Sequence, residues 1–174
     1  HLPNPVQKLV KFTQTRTAKA DTAGPNNPST DAGAGAGSCS NAVNWGDGGN
    51  PTNANDTAYM TITGGNYDSG ELTDELRISN FGFAFTSSSI DGITVEVLGW
   101  TPAGGANYTD VFLFTAPGTN RGEDHATGSL PTSDPSSTYT SFGGTTDDWY
   151  AGGTWTEAEI EDAGFGVMLC FTAS

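Results

Sequence analysis

The densest group of reactive side chains is "RGEDHATGS", which sets Arg121, Glu123, Asp124 and His125 within five positions. An acid beside a histidine is the raw material of proton transfer. A catalytic site also needs a nucleophile or a second acid aimed at the same point. No G-x-S-x-G, P-loop or H-E-x-x-H pattern supplies one, and the other histidine is the terminal His1. One contiguous polar run of this kind reads as a surface loop. The twenty acids are spread widely, so no pair stands out for glycoside hydrolysis. The expectation is a protein that is not an enzyme.

Hard oxygen ligands occur on three Gly- and Asn-rich stretches: Asp47 in "NWGDGGN", Asp56 in "NDTAY", and Asp147 and Asp148 in "TTDDW". Calcium is the ion such loops suit, but none has the twelve-residue EF-hand spacing. The competing reading is that these residues form turns, and no metal or other cofactor is expected. Cys39 and Cys170 do not have metal-ligand spacing. Two readings stand: a disulfide tying an early loop to the last strand, or two unpaired thiols. The four tryptophans, Trp45, Trp100, Trp149 and Trp155, could stack on sugars, but in an all-β domain they serve first as core.

The chain that must hold these residues has 174 positions, enough for one domain with a core. Hydrophobic residues make up 34% and charged residues 15%, and there are 24 glycines. That composition suits short strands joined by many turns rather than helix bundles. Lys8, Lys11, Arg16 and Lys19 fall in the first twenty residues, which hold no acid. Arg77 and Arg121 alone offset the twenty acids that follow, and the net charge is −14. An acidic body repels nucleic acid and anionic membranes, so neither is expected as a partner. A basic arm is attracted instead to the acidic body of its own or a neighbouring copy. No run of eighteen apolar residues and no apolar leader segment is seen. Opening on His1 rather than Met leaves room for a processed product.

The expected organisation is a basic extended arm over 1–20, a Gly/Pro/Asn-rich loop segment over 21–55, and a β-sandwich over 56–174. In the arm, Val10 and Phe12 favour an extended strand. A lone strand is unstable, so this one must pair within its own sheet or along the edge of another subunit. A short strand near Ala42–Trp45 interrupts the loop. "TAYMTIT" over 57–63 alternates as a strand, and "ELTDELRIS" over 71–79 is a strand or a brief helix. "FGFAF" puts Phe81, Phe83 and Phe85 on one face of a strand. "ITVEVLGW" alternates Ile93, Val95 and Val97 against Thr94, Glu96 and Leu98. "TDVFLFT" over 109–115 and "STYTSFGG" over 137–144 add two strands, with polar loop over 116–137 between them. Thr156 and Glu159 form a capping box that starts one helical turn, and Gly164 stops it. "FGVMLCFT" is a near-continuous apolar run, hence a central strand holding Phe165 and Val167. Seven to nine strands without βαβ rhythm give an all-β, antiparallel, jelly-roll-like β-sandwich.

The order "ISNFGFAF", "SIDGITVEV", a polar stretch, then "YTSFGGTTDDWYAGGTWTEAEIEDAGFGVML" resembles a β-sandwich module of tailed-bacteriophage virion proteins. The matching positions are Ser141, Phe142, Gly143, Gly144, Asp147, Trp149, Trp155, Ile160, Phe165, Gly166 and Val167. The likeness covers about residues 56–174. Tyr150 stands where that module usually has Gly, and Asp148 is added. The resemblance implies a structural protein of a virion, on the capsid exterior as decoration or cement, or attached to tail or neck. It implies partners among other virion proteins and copies of itself; the basic arm, which lies outside the likeness, is expected to reach a neighbouring subunit and make a homo-oligomer. Trp149 and Trp155, with their large apolar area, are expected to close one end of the sandwich. The rival expectation is a secreted or cell-surface module, either a filament subunit or a carbohydrate binder.

Overall fold

A computed structural model describes the backbone of residues 9–15, 30–34, 39, 45–46, 61–62, 68–85, 89–101, 105–115, 119–133, 138–150 and 152–174. Side chains are described at 39 and in the stretches from 68 onward. Among these residues there are ten strands and one helical turn. The strands are β1 (Leu9–Thr15), β2 (Thr30–Ala34), β3 (Trp45–Gly46), β4 (Thr61–Ile62), β5 (Glu75–Ser79), β6 (Gly92–Leu98), β7 (Ala106–Thr115), β8 (Thr119–Arg121), β9 (Thr140–Gly143) and β10 (Gly166–Ala173); the turn is α1 (Glu157–Glu161). One sheet has the order β1-β6-β9 and the other β2-β5-β10-β7-β8, while β3 and β4 form a separate ribbon. All pairings are antiparallel.

The two larger sheets exist because their strands carry the right apolar phase. In β6, Ile93, Val95 and Val97 are buried while Thr94, Glu96 and Leu98 are half-buried. They pack with Phe142 of β9 in one cluster with Leu76 and Ile78 of β5, Val111 and Leu113 of β7, and Val167, Leu169 and Phe171 of β10. That cluster is the layer between the sheets. The Tyr108 ring bridges it, 4.8 Å from Phe142 and 5.0 Å from Phe171. β10 is buried on its other face as well, where Met168 and Cys170 join Phe114 and Cys39 in a second apolar cluster. On that outer face Glu75 is buried and accepts from Arg77 at 2.8 Å, and the guanidinium lies 5.0 Å from the centre of the Phe114 ring.

A bulge sets the phase of β7. Cys170 pairs with Asp110 but Phe171 pairs with Tyr108, so Thr109 is the extra residue. Before it, Ala106 and Tyr108 face the inter-sheet core; after it, Val111 and Leu113 do. The bulge therefore turns Asp110 to the outer face, opposite Cys170.

Several expectations are corrected. Residues 81–85 are not a strand. Asn80 and Gly82 take φ values of 60° and 65°, which break an extended run. Phe81 and Phe83 still reach the core, and Phe85 is half-buried against it. Their rings stack in series at 5.9 Å and 5.8 Å, so the alternation works through ring packing without a ladder. Thr30–Ala34, expected as loop, is instead the edge strand beside β5. The polar stretch over 116–137 contains β8, which pairs with β7. The segment over 71–79 settles as strand from Glu75, preceded by a single bridge between Leu72 and Thr172. Only Trp45–Gly46 and Thr61–Ile62 of the two early strand segments lie among the described residues as strand.

Leu9–Thr15 pairs along β6 over seven residues, with Val10 opposite Val97, Lys11 opposite Glu96 and Phe12 opposite Val95. The helical turn has its capping box: the Glu159 amide donates to Thr156 Oγ1 at 3.3 Å, and the Thr156 amide donates to Glu159 Oε2 at 2.8 Å. It ends at Asp162, before Gly164.

Tyr108 gives this core a pH limit. Its hydroxyl makes no complete hydrogen bond among the described residues. Burial pushes the phenol up to about 12; the Thr140 side chain opposes that rise but does not cancel it. An acid whose pKa is raised by folding stabilises the fold below its unfolded pKa, near 10, and loses that contribution as pH rises through its folded value. Chemical denaturation should show stability falling between about pH 10 and 12 by roughly 2–3 kcal/mol from this group. Tyr108→Phe should remove that part of the slope; an unchanged slope would show that the ring ionises freely in the fold.

Candidate functional site

Arg121, Glu123, His125, Asp147, Asp148, Trp149 and Trp155 meet at one corner of the molecule, beside the end of β9. Trp149 is fully buried and has φ 62°, a left-handed conformation rare outside glycine. Three contacts hold it there. Its amide donates to Asp147 Oδ1 at 2.9 Å. Its indole N–H donates to the Ile93 carbonyl at 2.8 Å. One indole face stacks on His125, with ring centres 4.1 Å apart. The loop "RGEDH" is folded against the same residue, because the Glu123 amide donates to the Trp149 carbonyl at 2.9 Å. Gly143 and Gly122 leave the space: a Cβ on Gly143 would overlap the indole nitrogen, and one on Gly122 would overlap the Trp149 carbonyl.

Trp155 is the second buried ring. Its N–H donates to the Asp148 carbonyl at 2.6 Å, and Phe165 meets it edge-on at 5.3 Å. The Arg121 guanidinium lies 4.5 Å from the Tyr150 ring centre and 4.7 Å from that of Trp155, and its charge pairs with Glu159 of the capping box. Cation–π contact and ion pair together tie β8 to α1. Sugar stacking needs an exposed ring face. Trp149 and Trp155 have given theirs to the core, to His125 and to Arg121, and Trp100 is buried as well; the Trp45 side chain lies outside the described residues.

The carboxylates here serve the backbone. Asp147 Oδ1 and Asp148 Oδ1 each accept from the amide two residues on, Trp149 and Tyr150. Asp124 Oδ1 accepts from Val111 and Ala126, both at 2.9 Å. These are the turn geometries that Asp favours. His125 Nδ1 lies 3.6 Å from Asp147 Oδ2, and its buried Nε2 meets no hydrogen-bond partner among the described residues.

A second grouping lies on the outer face of the five-stranded sheet. Cys39 and Cys170 are disulfide-bonded, with Cα atoms 6.2 Å apart. The bond spans 131 positions. Loop closure on that scale restricts the unfolded chain by an amount worth on the order of 5 kcal/mol in the entropic account. Asp110 Oδ2 is 3.0 Å from Cys39 Sγ. Thr73 is fully buried beside Cys170, with its carbonyl 3.6 Å and its hydroxyl 3.9 Å from Sγ. Cys39, Asp110 and Cys170 form a group whose ligand atoms all lie within 4.8 Å of one another. Among the described residues, Asp147 and Asp148 belong to no such group.

Asp47, Lys8, Arg16 and Lys19 lie outside the described residues, and of Val10, Lys11 and Phe12 only the strand positions are described. Phe81, Phe83, Ile93, Val95, Val97, Trp149, Trp155, Phe165 and Val167 are all buried. Asp110 and Thr73 were not singled out from the sequence. The signal for Asp110 was present: in "NYTDVFLF" the apolar phase slips by one between Tyr108 and Val111, which marks a bulge.

No family model matches the chain, and no curated protein or solved structure matches it.

The glycine at the corner is open to test. Gly143 has φ 71° as well as its crowded Cβ position. Gly143→Ala should lower stability by roughly 2–4 kcal/mol in urea denaturation, from backbone strain and overpacking together. Gly152, whose Cβ position is open, is the control; Gly152→Ala should change stability by less than about 0.5 kcal/mol. Equal effects at both sites would show that the indole is not fixed by this contact.

Proposed function

We propose that this chain is a non-enzymatic structural protein of a tailed-bacteriophage virion, a decoration or cement protein on the capsid exterior, with tail or neck attachment as the next position. In this reading the body is a jelly-roll-like sandwich and the N-terminal segment is an assembly arm. Partners are copies of itself and other virion proteins. The observation that carries the reading is β1, a seven-residue strand at one end of the chain that adds to the edge of a sheet by pairing with β6. Such a strand offers the same backbone hydrogen bonds to its own β6 or to a neighbour's. Four of the six basic residues lie within or beside it in sequence, Lys8, Lys11, Arg16 and Lys19, while all twenty acids lie further along the chain, so copies attract arm to body. Many weak contacts of this kind become firm attachment on a multivalent shell. The engagement of the Asp147, Asp124 and Trp149 groups in holding turns also favours a structural role over catalysis.

The buried Cys39–Cys170 bond favours a second reading, a secreted or cell-surface module. That module would be a filament subunit joined by strand exchange or a carbohydrate-binding adhesin. A bridge already formed in freshly isolated native material, with glycan binding on an array, would favour it over the virion reading.

The deciding experiment compares the full chain with a chain starting at Asp21, by mass in solution and by circular dichroism. The full chain should form trimers or longer assemblies. The shortened one should be a folded monomer that binds a labelled peptide of residues 1–20. If both are equally folded monomers and the peptide does not bind, assembly through the arm is wrong.

A further inference from the structure

We infer that the dithiol form of the Cys39–Cys170 pair binds one thiophilic divalent cation of the zinc class, with Asp110 as third ligand. The bulge in β7 brings Asp110 opposite Cys170 on one face of the sheet, and Cys39 reaches the same point from a distant part of the chain. The three ligand atoms lie within 4.8 Å of one another. A tetrahedral site with metal–sulfur bonds of about 2.3 Å needs ligand atoms roughly 3.8 Å apart, so small side-chain rotations suffice once the sulfurs are unlinked. The Thr73 carbonyl, 3.6 Å from Cys170 Sγ, offers a fourth oxygen; water is the alternative.

The surroundings fit the reduced state as well as the oxidised one. In the disulfide neither sulfur carries a proton, so the Asp110 carboxylate at 3.0 Å receives no hydrogen bond from Cys39. In the dithiol, Cys39 S–H points to Asp110 and Cys170 S–H to the Thr73 carbonyl. A cation replaces those two protons. Reduction by a dithiol passes two electrons and two protons to the sulfurs and leaves the reagent as a cyclic disulfide. Binding then releases the two thiol protons to solvent. Thiolates buried among Met168 and Phe114 are costly without a cation beside them. Two thiolates with one carboxylate select zinc or cadmium over calcium and magnesium.

The test uses the full chain, reduced with dithiothreitol and desalted under nitrogen, then titrated with cadmium. The thiolate-to-cadmium charge-transfer band reports binding, and circular dichroism follows the fold. One ion per chain should bind to the reduced protein and give the band; the oxidised protein should give none. A thousandfold excess of calcium should not displace it. Asp110→Asn, which keeps the side-chain shape, should weaken binding by roughly tenfold or more, as loss of a charged ligand requires. The oxidised variant's circular dichroism checks that it folds. If reduction unfolds the wild type, return of the β-sheet signal on adding cadmium supports the site, and failure to return overturns it. The proposal is also overturned by a folded dithiol without the band, by one ion shared between two chains, by displacement with calcium, or by unchanged affinity in Asp110→Asn.

Discussion

The constraint on which the rest depends is the burial of β10 on both faces and along both edges. Seven of its eight residues are buried, so it must lie in the middle of whatever sheet it joins. β5 and β7 supply its edges. Val167, Leu169 and Phe171 then demand a second layer, which β6 and β9 provide through Ile93, Val95, Val97 and Phe142. Met168 and Cys170 demand a cover on the opposite side, and Cys39 is part of it. Gly166 begins the strand because a Cβ there would overlap the Ile78 carbonyl and crowd the Phe114 ring.

The bulge in β7 follows from the same demand. "ANYTDVFLFT" runs Ala106, Tyr108, Asp110 in one phase and Val111, Leu113 in the other. A regular ladder in the first phase would send Asp110 inward and Val111 and Leu113 outward; in the second it would expel Ala106 and Tyr108 from the core. Burying Asp110 in the apolar layer between the sheets would cost far more than one missing ladder hydrogen bond. One extra residue at Thr109 resolves the conflict and places a carboxylate beside the disulfide.

The sequence made some of this legible because the signals were local. The alternation of β6, the apolar run of β10 and the Thr156–Glu159 box each depend on residues within a few positions of one another. "NFGFAF" had equally regular alternation, yet Asn80 and Gly82 turn the chain out of the ladder, a choice that neighbouring strands decide. Thr30–Ala34 reads "TDAGA", in which only Thr30 favours a strand; its strand conformation comes from the edge that β5 offers. The corner shows the same limit. Contiguity suggested that "RGEDH" was a plain surface loop, and only the fold reveals Trp149 stacked on His125 and Arg121 held between Tyr150 and Trp155.

Chain order adds a kinetic side to this dependence. Of the described strands, the one at the centre of the larger sheet, β10, comes last in the chain, so β5 and β7 cannot be joined until it has been made. The early segments attach to both layers: β1 to β6, β2 to β5, and Cys39 to Cys170. Each of these contacts closes a long loop, and long-range closures come late and slowly. They differ in what they need from the rest. β2 and Cys39 rest on the sheet that β10 completes. Among the described strands β1 pairs with β6 alone, through a ladder that any copy of the same strand could make. A segment that docks late, on an edge, through a strand ladder is the part of a fold most easily shared between copies.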